Sequence, residues 1–120
     1  MTPLVLLAVA VGGALGAVLR QLTSVSLAGR GRVPLGVLVV NVVGSFVAGM
    51  TLGAPLDPTA QLIIVSGLCG GLTTFSTFAV ETIQLVMAGK HRAALLSVGQ
   101  NLVFGLAAAL IGLALGLLLG

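Results

Sequence analysis

Between Gly67 and Glu81 the chain reads GLCGGLTTFSTFAVE, with two adjacent glycines, then Thr73, Thr74, Ser76 and Thr77 crowded around Phe75 and Phe78, and a carboxylate at the end. Hydroxyls and aromatic ring edges can replace water around a dehydrated anion, because a ring carries a positive edge and a negative face. Backbone carbonyls freed by a helix break can hold a bare cation, and half-helix N-termini favour anions. Covalent chemistry is not available to these residues. His91 is the sole histidine, sits between Lys90 and Arg92 in an expected loop, and has no catalytic or metal partner. No nucleophile–base pair can be assembled without it, so an enzyme is not expected. Cys69 is the sole cysteine, which excludes an intramolecular disulfide and a cysteine-based zinc site.

Within this stretch Gly70 and Gly71 are poor helix formers, and the Thr73 and Thr74 hydroxyls can rebond locally, so a helix break is expected near 70–74. The glycine pair would equally serve a close helix crossing. Advancing about 100° per residue from Phe75 places Phe75, Phe78 and Thr82 on one face. Thr73, Thr74, Thr77 and Glu81 gather on a neighbouring face, with Ser76 to its far side. Phenylalanine is common in apolar spans, so by themselves the rings read as lipid-facing or core. Glu81 is the only glutamate; its nearness to Lys90 favours a pore-mouth or interfacial position over a proton-coupling one.

The elements that must carry these residues are membrane spans. Of 120 residues, 58% are hydrophobic and 6% charged, and the mean hydropathy is +1.30; soluble proteins carry roughly 25% charged residues. A span needs about 20 apolar residues, and four spans with short links occupy the chain: 3–22, 35–52, 59–87 and 93–119. The expected fold is all-α, a single domain of four transmembrane helices with the third broken near its middle. The N-terminal run lacks a basic n-region and is too long for a signal sequence, so it reads as a retained first helix. The net charge of +3 belongs to membrane topology rather than to nucleic-acid binding.

Each other span carries its own polar or small-residue stripe. In the first, Gly12, Gly16 and Arg20 recur every four residues, a surface for close helix approach with a charge at its end. Arg20 could snorkel to the interface or point into a polar cavity. In the second, Asn41 heads a stripe continued by Gly44, Ser45, Ala48 and Gly49. Its amide must be paired in hydrocarbon, and two readings stand at this level: an interhelical hydrogen bond, or a donor to an anion. In the fourth, Ser97, Gln100, Asn101 and Phe104 share a face, with Asn101 the deepest amide.

Arg30, Arg32, Lys90 and Arg92 fall in the loops after spans one and three, whereas the loop between spans two and three holds Asp57 and no lysine or arginine. The positive-inside rule then makes the basic loops cytoplasmic and both termini external.

GGLTTFSTFAVE in the third span, NVVGSFVAG in the second and GALGAVLR in the first together resemble the CrcB/Fluc fluoride channels over essentially the full length. That resemblance implies four-helix subunits in an antiparallel dimer, two fluoride pores along the interface, passive fluoride export across the cell membrane, and a structural sodium ion at the dimer centre. It assigns Phe75, Phe78 and Asn41 to the pore, Arg20 to a vestibule, Ser76 and Thr77 to a polar track, and Glu81 to a carboxylate near its end. Gly70 and Thr73 fall on the positions whose backbone carbonyls hold sodium. No role in the fourth helix follows, and Asn101 is only a candidate. The four-to-none charge bias argues for one fixed orientation and hence for pairing with an oppositely oriented paralogue, with dual insertion into a homodimer as the other arrangement.

A small proton-coupled multidrug exporter of the four-helix dimeric type is the rival reading. Such exporters rely on a carboxylate in the first span and on aromatic cages; here the first span has no acid, and the chain has no Trp or Tyr. A purely structural assembly subunit would fit the small-residue stripes but leaves the sorted phenylalanine and hydroxyl faces unexplained.

Overall fold

The structure, a computed structural model, describes residues 2–29 and 34–120. Arg30 and Arg32 lie outside the described residues. All regular structure among those described is helical, and four helices are long and apolar enough to cross a membrane: α1 (Pro3–Ser26), α2 (Leu35–Gly53), α3 (Pro58–Met87) and α4 (His91–Leu118).

Local chemistry sets the helix ends. Thr2 caps α1, its hydroxyl accepting from the Val5 amide at 3.2 Å, and Pro3 follows in the first turn, where a missing N–H leaves no carbonyl unmatched. Asp57, read in the sequence only as a turn acid, caps α3 by accepting from Ala60 N at 2.7 Å. The α3–α4 turn uses Gly89 at φ 78°, with Lys90 N donating to Leu85 O and Gly89 N to Val86 O, a left-handed glycine closure of the preceding helix. α1 runs four residues past the expected 22, because the Thr23 hydroxyl donates back to Leu19 O at 2.8 Å and satisfies itself inside the helix. His91 and Arg92, expected in a loop, open α4.

Packing rests on small residues, as it must where lipid competes equally for apolar surface. The most extensive contact joins α2 to α4. A Cβ on Gly49 would strike Ala109 O, and one on Gly112 would strike Phe46 O, so the two backbones touch directly. α1 meets the first half of α3 in the same way: Gly16 lies against Leu68 O, and Gly71 against Gly13 O. The buried apolar residues among those described are few, Val37, Val40, Cys69, Leu72 and Ala94, while leucines such as Leu4 and Leu118 are largely exposed. With extents of 47 × 31 × 21 Å, and a helix roughly 10–12 Å wide, the chain is a slab two helices thick.

α3 is not uniform. After Pro58–Leu62 it widens into a π-helical segment, Ile63–Cys69, returns to α geometry over Gly70–Leu72, breaks at Thr73 and Thr74, and resumes as Phe75–Met87. The break falls on the threonines (Thr73 φ −81°, ψ 157°; Thr74 φ −150°, ψ 122°), whereas Gly70 is helical at φ −62°, ψ −38° and Gly71 lies within the same α turn. Gly71 therefore serves the crossing with α1, whereas Gly70 is exposed and a Cβ on it would meet nothing of that helix. Threonine suits the break because its hydroxyl bonds locally: Thr73 Oγ1 donates to Cys69 O at 2.8 Å, and Thr74 Oγ1 accepts from Thr77 N at 3.1 Å, capping the second half. The π segment has no counterpart in the reading of the sequence.

Candidate functional site

Breaking α3 strands the Thr74 amide and carbonyl at membrane depth, where no water can satisfy them. Asn41 of α2 takes both. Its Oδ1 accepts from Thr74 N at 2.9 Å, and its Nδ2 donates to Thr74 O at 3.2 Å, so one side chain pairs with both backbone groups of one residue much as a neighbouring strand would. The remaining Nδ2 hydrogen goes to Asn101 Oδ1 of α4 at 3.2 Å, and Asn101 Nδ2 in turn donates to Ser97 O at 2.9 Å. Three helices thus meet in one amide network. A Cβ on Gly44, one turn along from Asn41, would collide with Thr73 Cγ2, so the small residue there lets the break approach α2.

Beside this network opens a cavity of about 450 Å³. One wall is polar, from Asn41, Ser45, Thr73, Thr74 and Asn101; the other carries Phe75 and Phe78. The two rings lie 5.9 Å apart between centroids and are tilted by 51°, neither stacked nor perpendicular. Phe75 is 78% exposed, so its ring projects from the protomer rather than into a core. Thr73 and Thr74 share this cavity with the rings instead of a separate hydroxyl face, because the break resets the helical phase between Thr74 and Phe75.

The other sequence-predicted residues lie elsewhere. Ser76 and Thr77 are exposed and do not line the cavity. Arg20 is half-buried on α1 and lines neither this cavity nor a second one of about 490 Å³ at the α3–α4 turn. Glu81 does face that second cavity, with Ser24, Gln84 and Lys90, and its Oε2 is buried with no hydrogen-bond partner among the described residues.

Gly70 and Thr73 sit on the far side of the break from the capped helix. In a continuous helix the Thr74 amide would bond Gly70 O; here Asn41 holds it. Thr73 O accepts from no backbone amide among the described residues. Both are hard oxygen donors of the kind an alkali cation takes, and Gly70 is exposed. The described residues contain no cluster of three or more His, Cys, Asp or Glu side chains. Sequence reasoning left the part of Asn101 open and did not pair Asn41 with Thr74. The signal was present only as two lone amides on separate apolar helices.

The chain was compared with known proteins. Residues 7–113 match the family model described as CrcB-like protein, Camphor Resistance (CrcB). A protein of Leifsonia xyli called fluoride-specific ion channel FluC 1 is 45% identical over 122 residues, covering 97% of this chain and 89% of its own. A fluoride-specific ion channel FluC of Methanopyrus kandleri is 45% identical over 114 residues, covering 91% and 86%. One of Yersinia pseudotuberculosis, FluC 1, is 46% identical over 91 residues, covering 71% and 72%.

Proposed function

As the chain belongs to the CrcB-like family, we propose that it is a fluoride-selective channel that lets the ion leave the cell passively through the cell membrane. The observation that carries this reading is the cavity in which Asn41 and the Phe75–Phe78 pair come together beside a broken helix. Fluoride is small and strongly hydrated, so a pore must replace its water with donors. The cavity supplies amide, hydroxyl and ring-edge donors, and no fixed charge that would hold the ion too tightly. Transport of this kind needs no covalent step, in keeping with a chain whose sole histidine is exposed at the start of α4.

In the same proposal the working unit is an antiparallel dimer. Phe75 at the cavity is 78% exposed, and Gly70, Ser76 and Thr77 lie on the surface of the chain, where a facing subunit would close the path. Ser76, Thr77 and Glu81 then extend the polar route, and Arg20 stands at a vestibule. A sodium ion fits the Gly70 and Thr73 carbonyls at the dimer centre, where it would tie the two breaks together as a structural ion. Lys90 and Arg92 with Arg30 and Arg32 favour one orientation and an oppositely inserted paralogue as partner. Equal reporter signals from both sides of the membrane with C-terminal fusions would show dual insertion instead.

The test is fluoride efflux from proteoliposomes read by a fluoride electrode, with chloride as control. Rapid fluoride and negligible chloride release are expected. A correctly assembled dimer that releases no fluoride would overturn the reading.

A further inference from the structure

Both N–H groups of Asn41 are already spent within the chain, one on Thr74 O and one on Asn101 Oδ1. An anion in the cavity therefore meets no idle amide donor on Asn41. It can gain one only by exchange, and the two bonds differ in what their loss would undo. The bond to Thr74 O holds the same residue as the 2.9 Å bond from Thr74 N, so giving it up loosens the clamp on the helix break. The bond to Asn101 joins two side chains that both line the cavity, and its loss leaves both bonds to Thr74 in place.

The orientation of each amide is fixed independently. Thr74 N–H requires an oxygen from Asn41, which turns Asn41 Nδ2 toward α4. Ser97 O requires a nitrogen from Asn101, which turns Asn101 Oδ1 toward α2; Ser97 itself is only 2% exposed. The two outer bonds thus aim a donor at an acceptor across the cavity wall, in a register neither residue could set alone.

We propose that Asn101 is a positioning residue, the resting partner of Asn41, whose Oδ1 holds the donor hydrogen that a passing fluoride borrows and then returns. This rests on the fluoride-channel reading above. A compact, strongly accepting anion can displace an amide oxygen from an N–H, whereas a larger, weaker acceptor such as chloride cannot, so the exchange adds to selectivity. Return of Asn101 Oδ1 to Asn41 competes with the bound ion and hastens its departure.

Fluoride flux in proteoliposomes, measured over a range of fluoride concentrations, separates half-saturation from maximal rate. Asn101→Leu removes the acceptor at similar volume, and half-saturating fluoride is expected to fall about three- to tenfold, with a lower maximal rate and raised chloride leak. Asn101→Thr, whose hydroxyl can donate to Ser97 O and accept from Asn41, is expected to return both parameters toward wild type. Unchanged half-saturation in an assembled Asn101→Leu protein would overturn the proposal, as would a loss of maximal rate alone that Thr does not rescue. If neither Leu nor Ala at this position gives a folded protein, Asn101 is a structural contact and the proposal fails. A wild-type dimer that passes no fluoride sinks the channel reading itself, an outcome separate from any behaviour of the variants.

Discussion

The two halves of α3 are built on opposite plans. Up to Leu72 the helix is held by its backbone: Gly67 and Gly71 press against Val9 and Gly13 of α1, and Cys69 and Leu72 are buried. From Phe75 to Met87 not one residue is fully buried, and the segment is located by its ends, through the Thr74 cap, the Asn41 clamp and the Gly89 closure. Close packing fixes a segment against every displacement and leaves no side chain free. Fixing by caps and one clamp leaves a whole helix surface available to something outside the protomer. The difference places the proposed ion path on the second half and anchorage on the first.

Substitutions should separate the two plans. The largest effect is expected at Gly71→Val, where the new side chain meets the Gly13 carbonyl. Overpacking of at least about 1–3 kcal/mol against backbone that cannot yield should abolish folded protein, seen as loss of the monodisperse peak in size-exclusion chromatography. Phe75→Ile or Phe78→Ile should instead keep assembly intact while lowering fluoride flux by about tenfold or more, since each removes one of the two ring-edge contacts; loss of the dimer would place these rings in the packing half after all. Asn41→Asp keeps an acceptor for Thr74 N but removes both donors, and should cost about 1–3 kcal/mol in thermal unfolding in detergent. Slow hydrogen exchange at the Thr74 amide should survive that change; its loss would mean that the acceptor alone does not hold the break. The smallest effect on stability is expected from Thr74→Ala, which removes the cap at about 1 kcal/mol, read as a modest fall in unfolding temperature.

Much of this was legible in the residues, and where it was not the cause is nonlocal. Spans follow from runs of apolar side chains, and the Phe75–Phe78 pairing from a spacing of three, because both depend only on neighbours in sequence. A break near 70–74 is legible from the weak helix preference of Gly70 and Gly71 and the local bonding of Thr73 and Thr74, and it falls at the threonines within those bounds. Gly71 is nevertheless helical because α1, nearly sixty residues earlier, needs a position without a Cβ. Asn41 and Asn101 lie sixty residues apart, and two separate amides carry no mark that they belong together. Ser76 and Thr77, assigned by resemblance to a polar track, lie on the protomer surface, so their partners would come from a second subunit that one sequence does not contain.

The π turns of Ile63–Cys69 act as a phase shifter. A bonding pattern that skips to the fifth residue accommodates one more amino acid per stretch than an α-helix of the same rise, as an insertion would. The helix between it and the break is thereby rotated by about 100° relative to the uninterrupted winding. Gly71 faces α1 because the count of residues ahead of it includes that surplus one, whereas the phenylalanines take their phase afresh from the break at Thr73 and Thr74.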